Sequence, residues 1–125
     1  MKRKHRLSRS RDFDAVYRHG RSVSSRYLVL YSFLRDVEEP DESEPRLGLA
    51  VPRQVGGAVD RNRIKRRLRA AFDELRSDMP LSHDYVLIVK PGFAEAAETH
   101  GSQWLLERVR EVLEQAGRLQ EAAGT

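Results

Sequence analysis

The period of the apolar positions changes repeatedly along this chain, and each change marks an element. In residues 10–19, Phe13, Val16 and Tyr17 recur at i, i+3 and i+4, the spacing of one helix face. Ser10 suits the cap of that helix, Asp12 and Asp14 its first turn, and Gly20 its end. Residues 26–34 switch to period two. Alternation puts Tyr27, Val29, Tyr31 and Phe33 on one face of a strand and Leu28, Leu30 and Leu34 on the other. Both faces are apolar, so one can cover a core while the other meets a helix or a ligand. A second strand is predicted over 46–52, pairing with the first and stopped by Pro52 and Gly56-Gly57. Helical spacing returns over 59–76. A buried strand follows over 84–90, halted by Pro91-Gly92, and a last helix over 102–116 carries Leu105, Val109, Val112 and Ala116 on one stripe. Residues 118–125 read as a frayed tail.

The predicted order is helix, strand, strand, helix, strand, helix. It implies an α+β fold, a two-layer α/β sandwich with a small mixed sheet of three to four strands. No internal repeat is visible. A chain of 125 residues suits one domain, placed at 1–117 with a basic N-terminal arm, and is long enough to bury a core unaided.

Charge narrows the function classes. The net charge is +4, unevenly spread: residues 1–70 hold 18 of the 23 Lys and Arg, and residues 71–125 hold 10 of the 19 Asp and Glu. Six of the nine acids in the first part fall between Asp36 and Glu44, with Pro40 and Pro45, which reads as an exposed loop. Without it the first part is strongly cationic and fits a phosphate-rich partner. The absence of cysteine excludes disulfides, thiolate zinc sites and cysteine nucleophiles. No apolar run approaches the ~20 residues that cross a bilayer. Met1 to Arg11 holds six Lys and Arg and no apolar segment, unlike a secretory signal. A cytoplasmic protein with no membrane partner is expected.

The densest signal is residues 61–69, Arg-Asn-Arg-Ile-Lys-Arg-Arg-Leu-Arg. At ~100° per residue, Ile64, Leu68, Ala71, Phe72 and Leu75 gather on one side of the helix. Asn62, Lys65, Arg66 and Arg69 fall opposite, Arg63 lies on the edge beside Arg66, and Arg61 points nearer the apolar flank. Like charges at i, i+3 and i+4 repel by a few tenths of a kcal/mol per pair. Cations also sit poorly at the positive N-terminal end of a helix. An anion bound there removes both costs. Five arginines to one lysine favour bidentate phosphate and base-edge contacts. A solvated basic face with no specific partner is the bland alternative. A DNA-reading helix-turn-helix is disfavoured, because a strand and a Gly-Gly turn precede this helix instead of a second helix.

The run from Val55 to Arg69, Val-Gly-Gly-Ala-Val-Asp-Arg-Asn-Arg-Ile-Lys-Arg-Arg-Leu-Arg, is similar to the signature of the bacterial ribonuclease P protein. Arg6-Leu7, Asp12-Phe13, Val16-Tyr17, His19-Gly20, Tyr31, Arg46-Leu47-Gly48-Leu49 and Asp84-Tyr85-Val86-Leu87-Ile88 follow the family's order, so the resemblance spans residues 6 to about 115. It implies a left-handed βαβ crossover, against the usual rule. It also implies a protein subunit bound to a large catalytic RNA that removes the 5′ leader of precursor tRNA. Magnesium would be held mainly by the RNA, with no catalytic or metal-ligating residue in the protein. On this resemblance Arg61, Asn62, Arg63, Lys65, Arg66 and Arg69 hold the catalytic RNA. Phe13, Tyr17 and Tyr31 line a leader cleft, with Arg53 and Lys90 adding phosphate contacts. Aromatic rings suit unpaired RNA, since every base offers a face to stack on; core packing is their competing role. The chain departs from the family pattern at Gln54, where a second basic residue is common, at Gly57, where Asn is common, and at Asp60, which could cap the helix.

Other chemistry finds little support. His5, His19, His83 and His100 form no metal spacing and read as surface residues, and Glu107, Glu111 and Glu114 read as a solvated face. A ribosomal or chaperone-like RNA-binding protein and a free-standing metal nuclease are the competing functions. The first would not need the three rings on one surface; the second would need cleavage by the protein alone. No protein partner is predicted.

Overall fold

A computed structural model describes residues 1–35, 44–79 and 82–124, with side chains through Arg118. The predicted acidic loop lies outside the described residues except for Glu44. The elements run α1 (Ser10–His19), β1 (Arg21–Ser24), β2 (Leu28–Leu34), β3 (Arg46–Ala50), α2 (Ala58–Leu75), β4 (His83–Val89), α3 (Phe93–His100) and α4 (Ser102–Gly124). Short 3-10 turns cover Arg3–His5, Arg53–Val55 and Arg76–Asp78.

The strands form one mixed sheet in the order β1-β2-β4-β3. β2 pairs antiparallel with β1 and β4, whereas β3 runs parallel to β4, with Arg46 opposite Asp84 and Ala50 opposite Ile88. This corrects the expected pairing of β3 with β2. β4 is buried at every position but Ile88, and a strand apolar on both faces takes a central place. It therefore inserts between the two and leaves β3 at the edge. The N-terminal arm covers part of that edge: Arg6 bridges to Leu47, and the Leu7 N–H donates to the Leu47 carbonyl at 2.9 Å.

The pleat divides the sheet's side chains between two layers. Leu28, Leu30, Leu47, Tyr85, Leu87 and Val89 join Ile64, Leu68, Phe72, Leu105, Val109 and Val112 in the main core, beneath α2 and α4. On the reverse face Val86 meets Val16 of α1 and Leu7 of the arm, with Phe13, Tyr31, Phe33 and Ile88 half-buried around them. α1 alone gives that face only partial cover.

Several local expectations change. β1 and α3 were not anticipated. β1 is a polar strand with one buried residue, Val23, and so carries little pattern. α3 sits between two glycines with positive φ, Gly92 at 94° and Gly101 at 89°, and buries Phe93 and Ala97. α4 continues past residue 118 to Gly124. A single glycine costs about 1 kcal/mol, and the Arg, Leu, Gln, Glu and Ala residues after Gly117 are good helix formers. Ser10 is the first residue of α1 and not its cap; Arg9 holds that position. Leu34, the last residue of β2, is 64% exposed. His5 and His83 are buried, not on the surface. His5 is held between Glu44 and Arg76, and His83 stacks on Tyr85 with ring centroids 6.0 Å apart.

The buried carboxylate of Asp84 ties three strands together. It accepts hydrogen bonds from Arg35 Nη1 at 2.8 Å and from Arg46 Nε and Nη2 at 2.8 and 2.7 Å. Removing it leaves two guanidiniums without their shared anion, a change that costs about 3–5 kcal/mol for a buried pair. Asp84→Ala is therefore expected to lower the urea midpoint sharply, and Leu34→Ser to leave it nearly unchanged. Equal midpoints for the two variants would contradict this account of the sheet.

Candidate nucleic-acid interface

The first surface follows from the amphipathic design of α2. Ile64, Leu68, Ala71, Phe72 and Leu75 are its buried residues, as the periodicity requires. Once those five face the sheet, the cations between them have nowhere to go but outward. Asn62, Arg63 and Arg66 are exposed, and Arg61, Lys65 and Arg69 are half-buried. Among the described residues no carboxylate forms an ion pair with Arg61, Lys65, Arg66 or Arg69. Burial, and then the charge of nearby Arg6, lowers the pKa of Arg69. The arm thus brings a further cation to this side of the helix. Arg61 Nε is buried without an acceptor among the described residues.

Two arginines behave differently. Arg63 Nη1 donates to Glu98 Oε1 of α3 at 3.2 Å, and Arg67 Nη1 lies 3.8 Å from the same oxygen. The sequence gives no interleaved acid within 61–69; the fold brings one from a helix that was not anticipated. The start of α2 also differs from expectation. Gly57 is the N-cap, and Asp60 lies within the first turn and caps nothing, though an acid there still opposes the positive helix end.

The second surface lies on the reverse face of the sheet. Phe13, Tyr17 and Tyr31 come together as expected: Phe13 and Tyr17 centroids are 6.4 Å apart, and Tyr17 meets Tyr31 edge-on at 5.1 Å. Tyr17 is 40% exposed, and the other two are half-buried. Burial first, and the neighbouring Tyr31 second, raise the Tyr17 pKa above its ordinary value. Gly48 makes this arrangement possible. A Cβ at that position would fall 2.5 Å from Phe13 Cζ, so the ring can lie on β3 only where the side chain is missing.

Arg53 and Lys90 do not touch the rings. Lys90 lies four residues beyond Val86, the partner of Tyr31, and therefore about 13 Å along the sheet. Its Nζ donates to Ser24 Oγ at 2.8 Å and to the Ser25 carbonyl at 2.5 Å. Arg53 is exposed in the turn after β3, toward the same end. Half-buried Val29, Ala50 and Ile88 share the ring-bearing face between these cations and the rings. The result is a strip with rings at one end, an apolar floor and cations at the other.

The family model described as Ribonuclease P matches residues 1–117. The chain belongs to the ribonuclease P protein family. Among curated relatives named ribonuclease P protein component, one from Geobacillus sp. (strain WCH70) is 35% identical over 119 residues, covering 95% of this chain and 96% of its own. Another, from Geobacillus thermodenitrificans, is 34% identical over 125 residues, covering 100% and 97%. The solved ribonuclease P protein of Thermotoga maritima superposes with a TM-score of 0.77 at 27% identity, over 88% of this chain and 96% of that one. The Staphylococcus aureus protein gives 0.73 at 28%, over 90% and 94%.

In this member of the family, the sequence pattern does not single out Glu98, Arg6 and Gly48 as parts of the surfaces. The first two act across elements, where spacing along one helix carries no signal. Gly48 could have been suspected, since a glycine inside a strand often marks a close approach. Gly48→Ala is expected to cost about 1–3 kcal/mol by overpacking. Combined with Phe13→Ala, which removes the obstacle, it should cost much less than the two single changes added together. Strict additivity in a denaturation double-mutant cycle would refute the ring-on-glycine contact.

Proposed function

We propose that this chain is the protein subunit of ribonuclease P: it binds the catalytic RNA through α2 and the 5′ leader of precursor tRNA through the ring-bearing strip, and so promotes leader removal in tRNA 5′ maturation. The observation that carries this reading is the pair of separate surfaces on opposite faces of one sheet. A general RNA-binding protein needs only the cationic helix. Partly exposed rings in line with an apolar floor and terminal cations suit an unpaired strand: bases stack at one end and phosphates are met at the other. Arg61, Asn62, Arg63, Lys65, Arg66 and Arg69 take the catalytic RNA, and Phe13, Tyr17, Tyr31, Arg53 and Lys90 take the leader.

The chemistry belongs to the RNA in this proposal. Among the described residues no three side chains of His, Cys, Asp or Glu converge in a way that could hold a metal ion, and magnesium is assigned to the RNA partner. The protein contributes affinity and placement of the substrate. A cytoplasmic site of action goes with this role; among the described residues no helix is long and apolar enough to cross a membrane.

The two surfaces predict two separable defects. Arg66→Ala should weaken assembly with ribonuclease P RNA about tenfold and reduce the magnitude of the salt slope by about one. It should leave the preference for substrates with a long leader in place. Tyr31→Ala should leave assembly intact and lose about 1–3 kcal/mol of leader binding, the worth of one stacked base. Filter binding of the RNA and of precursor tRNA to the assembled complex separates the two; equal effects of both variants in both assays would contradict the proposal.

A further inference from the structure

We propose that Glu98 sets the affinity of the α2 surface: its carboxylate occupies the anion position between Arg63 and Arg67, and an RNA phosphate takes that position by displacing it. This inference rests on the reading of α2 as an RNA-binding surface.

The geometry fits a displaceable occupant better than a structural tie. Arg63 and Glu98 are each more than half exposed, at 57% and 58%, and exposed ion pairs are weak, screened and easily exchanged. Glu98 sits in the last turn of α3, the negative end of that helix, where an acid is disfavoured. The arginines opposite offset that cost. Arg67 also donates from Nη2 to the Ala97 carbonyl at 3.4 Å, so it keeps a hold on α3 when the carboxylate swings out. A crevice of about 180 Å³, lined by Asp60, Arg63, Arg67, Glu95 and Glu98 among others, leaves room for that movement.

The exchange has a physical consequence. A phosphodiester and a carboxylate each carry one negative charge, so replacing one by the other gains little at this position alone. A single small anion therefore competes poorly with Glu98. An RNA backbone that also reaches Asn62, Lys65 and Arg66 gains from those groups as well, and wins. Glu98 thus lowers the baseline affinity for anions while leaving binding of an extended polyanion possible.

The test uses the full chain with ribonuclease P RNA and, separately, an unrelated short RNA duplex, each followed by fluorescence anisotropy. Glu98→Gln keeps shape and removes charge; it should tighten binding of both RNAs about two- to fivefold, the range an exposed ion pair allows. That gain should shrink when Arg63→Ala is also present and vanish when Arg63→Ala and Arg67→Ala are combined, since both arginines face the carboxylate. Glu95→Gln removes the same charge from the same helix but from a carboxylate that makes no ion pair with the arginines, and should change binding much less. Unchanged or weaker binding by Glu98→Gln overturns the inference, since it would make Glu98 a support for Arg63. An equal gain from Glu95→Gln also overturns it, since the effect would then be general charge. If the wild-type chain shows no preference for ribonuclease P RNA, the proposed function fails, while the duplex measurements still decide the role of Glu98.

Discussion

The burial of one face of α2 is the constraint on which the rest depends. Ile64, Leu68, Ala71, Phe72 and Leu75 fill the space between helix and sheet, and burying the four larger of these side chains contributes about 1.5–3 kcal/mol each. Because six of the seven remaining positions between Arg61 and Arg69 are cations, the same packing that stabilises the helix fixes the direction of its charge. Repulsion along the helix is small beside this burial, so the fold can hold a surface that the helix alone would disfavour. Among the described residues only part of that charge is answered, by Glu98 at Arg63 and Arg67.

The sheet turns this constraint into two separate surfaces. β4 occupies the centre because it is apolar on both sides, and the pleat then sends Tyr85, Leu87 and Val89 to the α2 and α4 layer and Val86 and Ile88 to the α1 side. α1 covers only part of that side. The three rings gather at its edge because Gly48 allows Phe13 to lie on β3. A shift of one residue in the pairing of β2 would turn Tyr31 into the core and Leu30 outward, and the Asp84 network with Arg35 and Arg46 helps to fix that pairing.

Much of this was legible in the sequence, and the failures share a cause. The helical stripe of α2, the i, i+3, i+4 pattern of α1 and the alternation of β2 are local signals, and the elements formed where they pointed. The neighbours of β3 were misjudged because strand order is not written in alternation; it follows from which strand is apolar on both faces. β1 and α3 were missed because one exposes three of its four residues and the other is short and bounded by glycines. The burial of His5 depends on Glu44 and Arg76, residues 39 and 71 positions away. Likewise the rings could be grouped from the pattern, but their support by Gly48, and the partial neutralisation of the basic helix by Glu98, are contacts between elements that only the fold brings together.

In the proposed function, this cationic surface and its ring-bearing counterpart serve as the accessory part of an RNA-based nuclease. The most direct measurement is cleavage of precursor tRNA by a bacterial ribonuclease P RNA at low magnesium, with and without the full chain, beside a reaction holding the chain and magnesium alone. Strong stimulation of correct 5′ cleavage is expected when both are present, and no cleavage by the protein by itself. Absence of stimulation, or cleavage without the RNA, would contradict it.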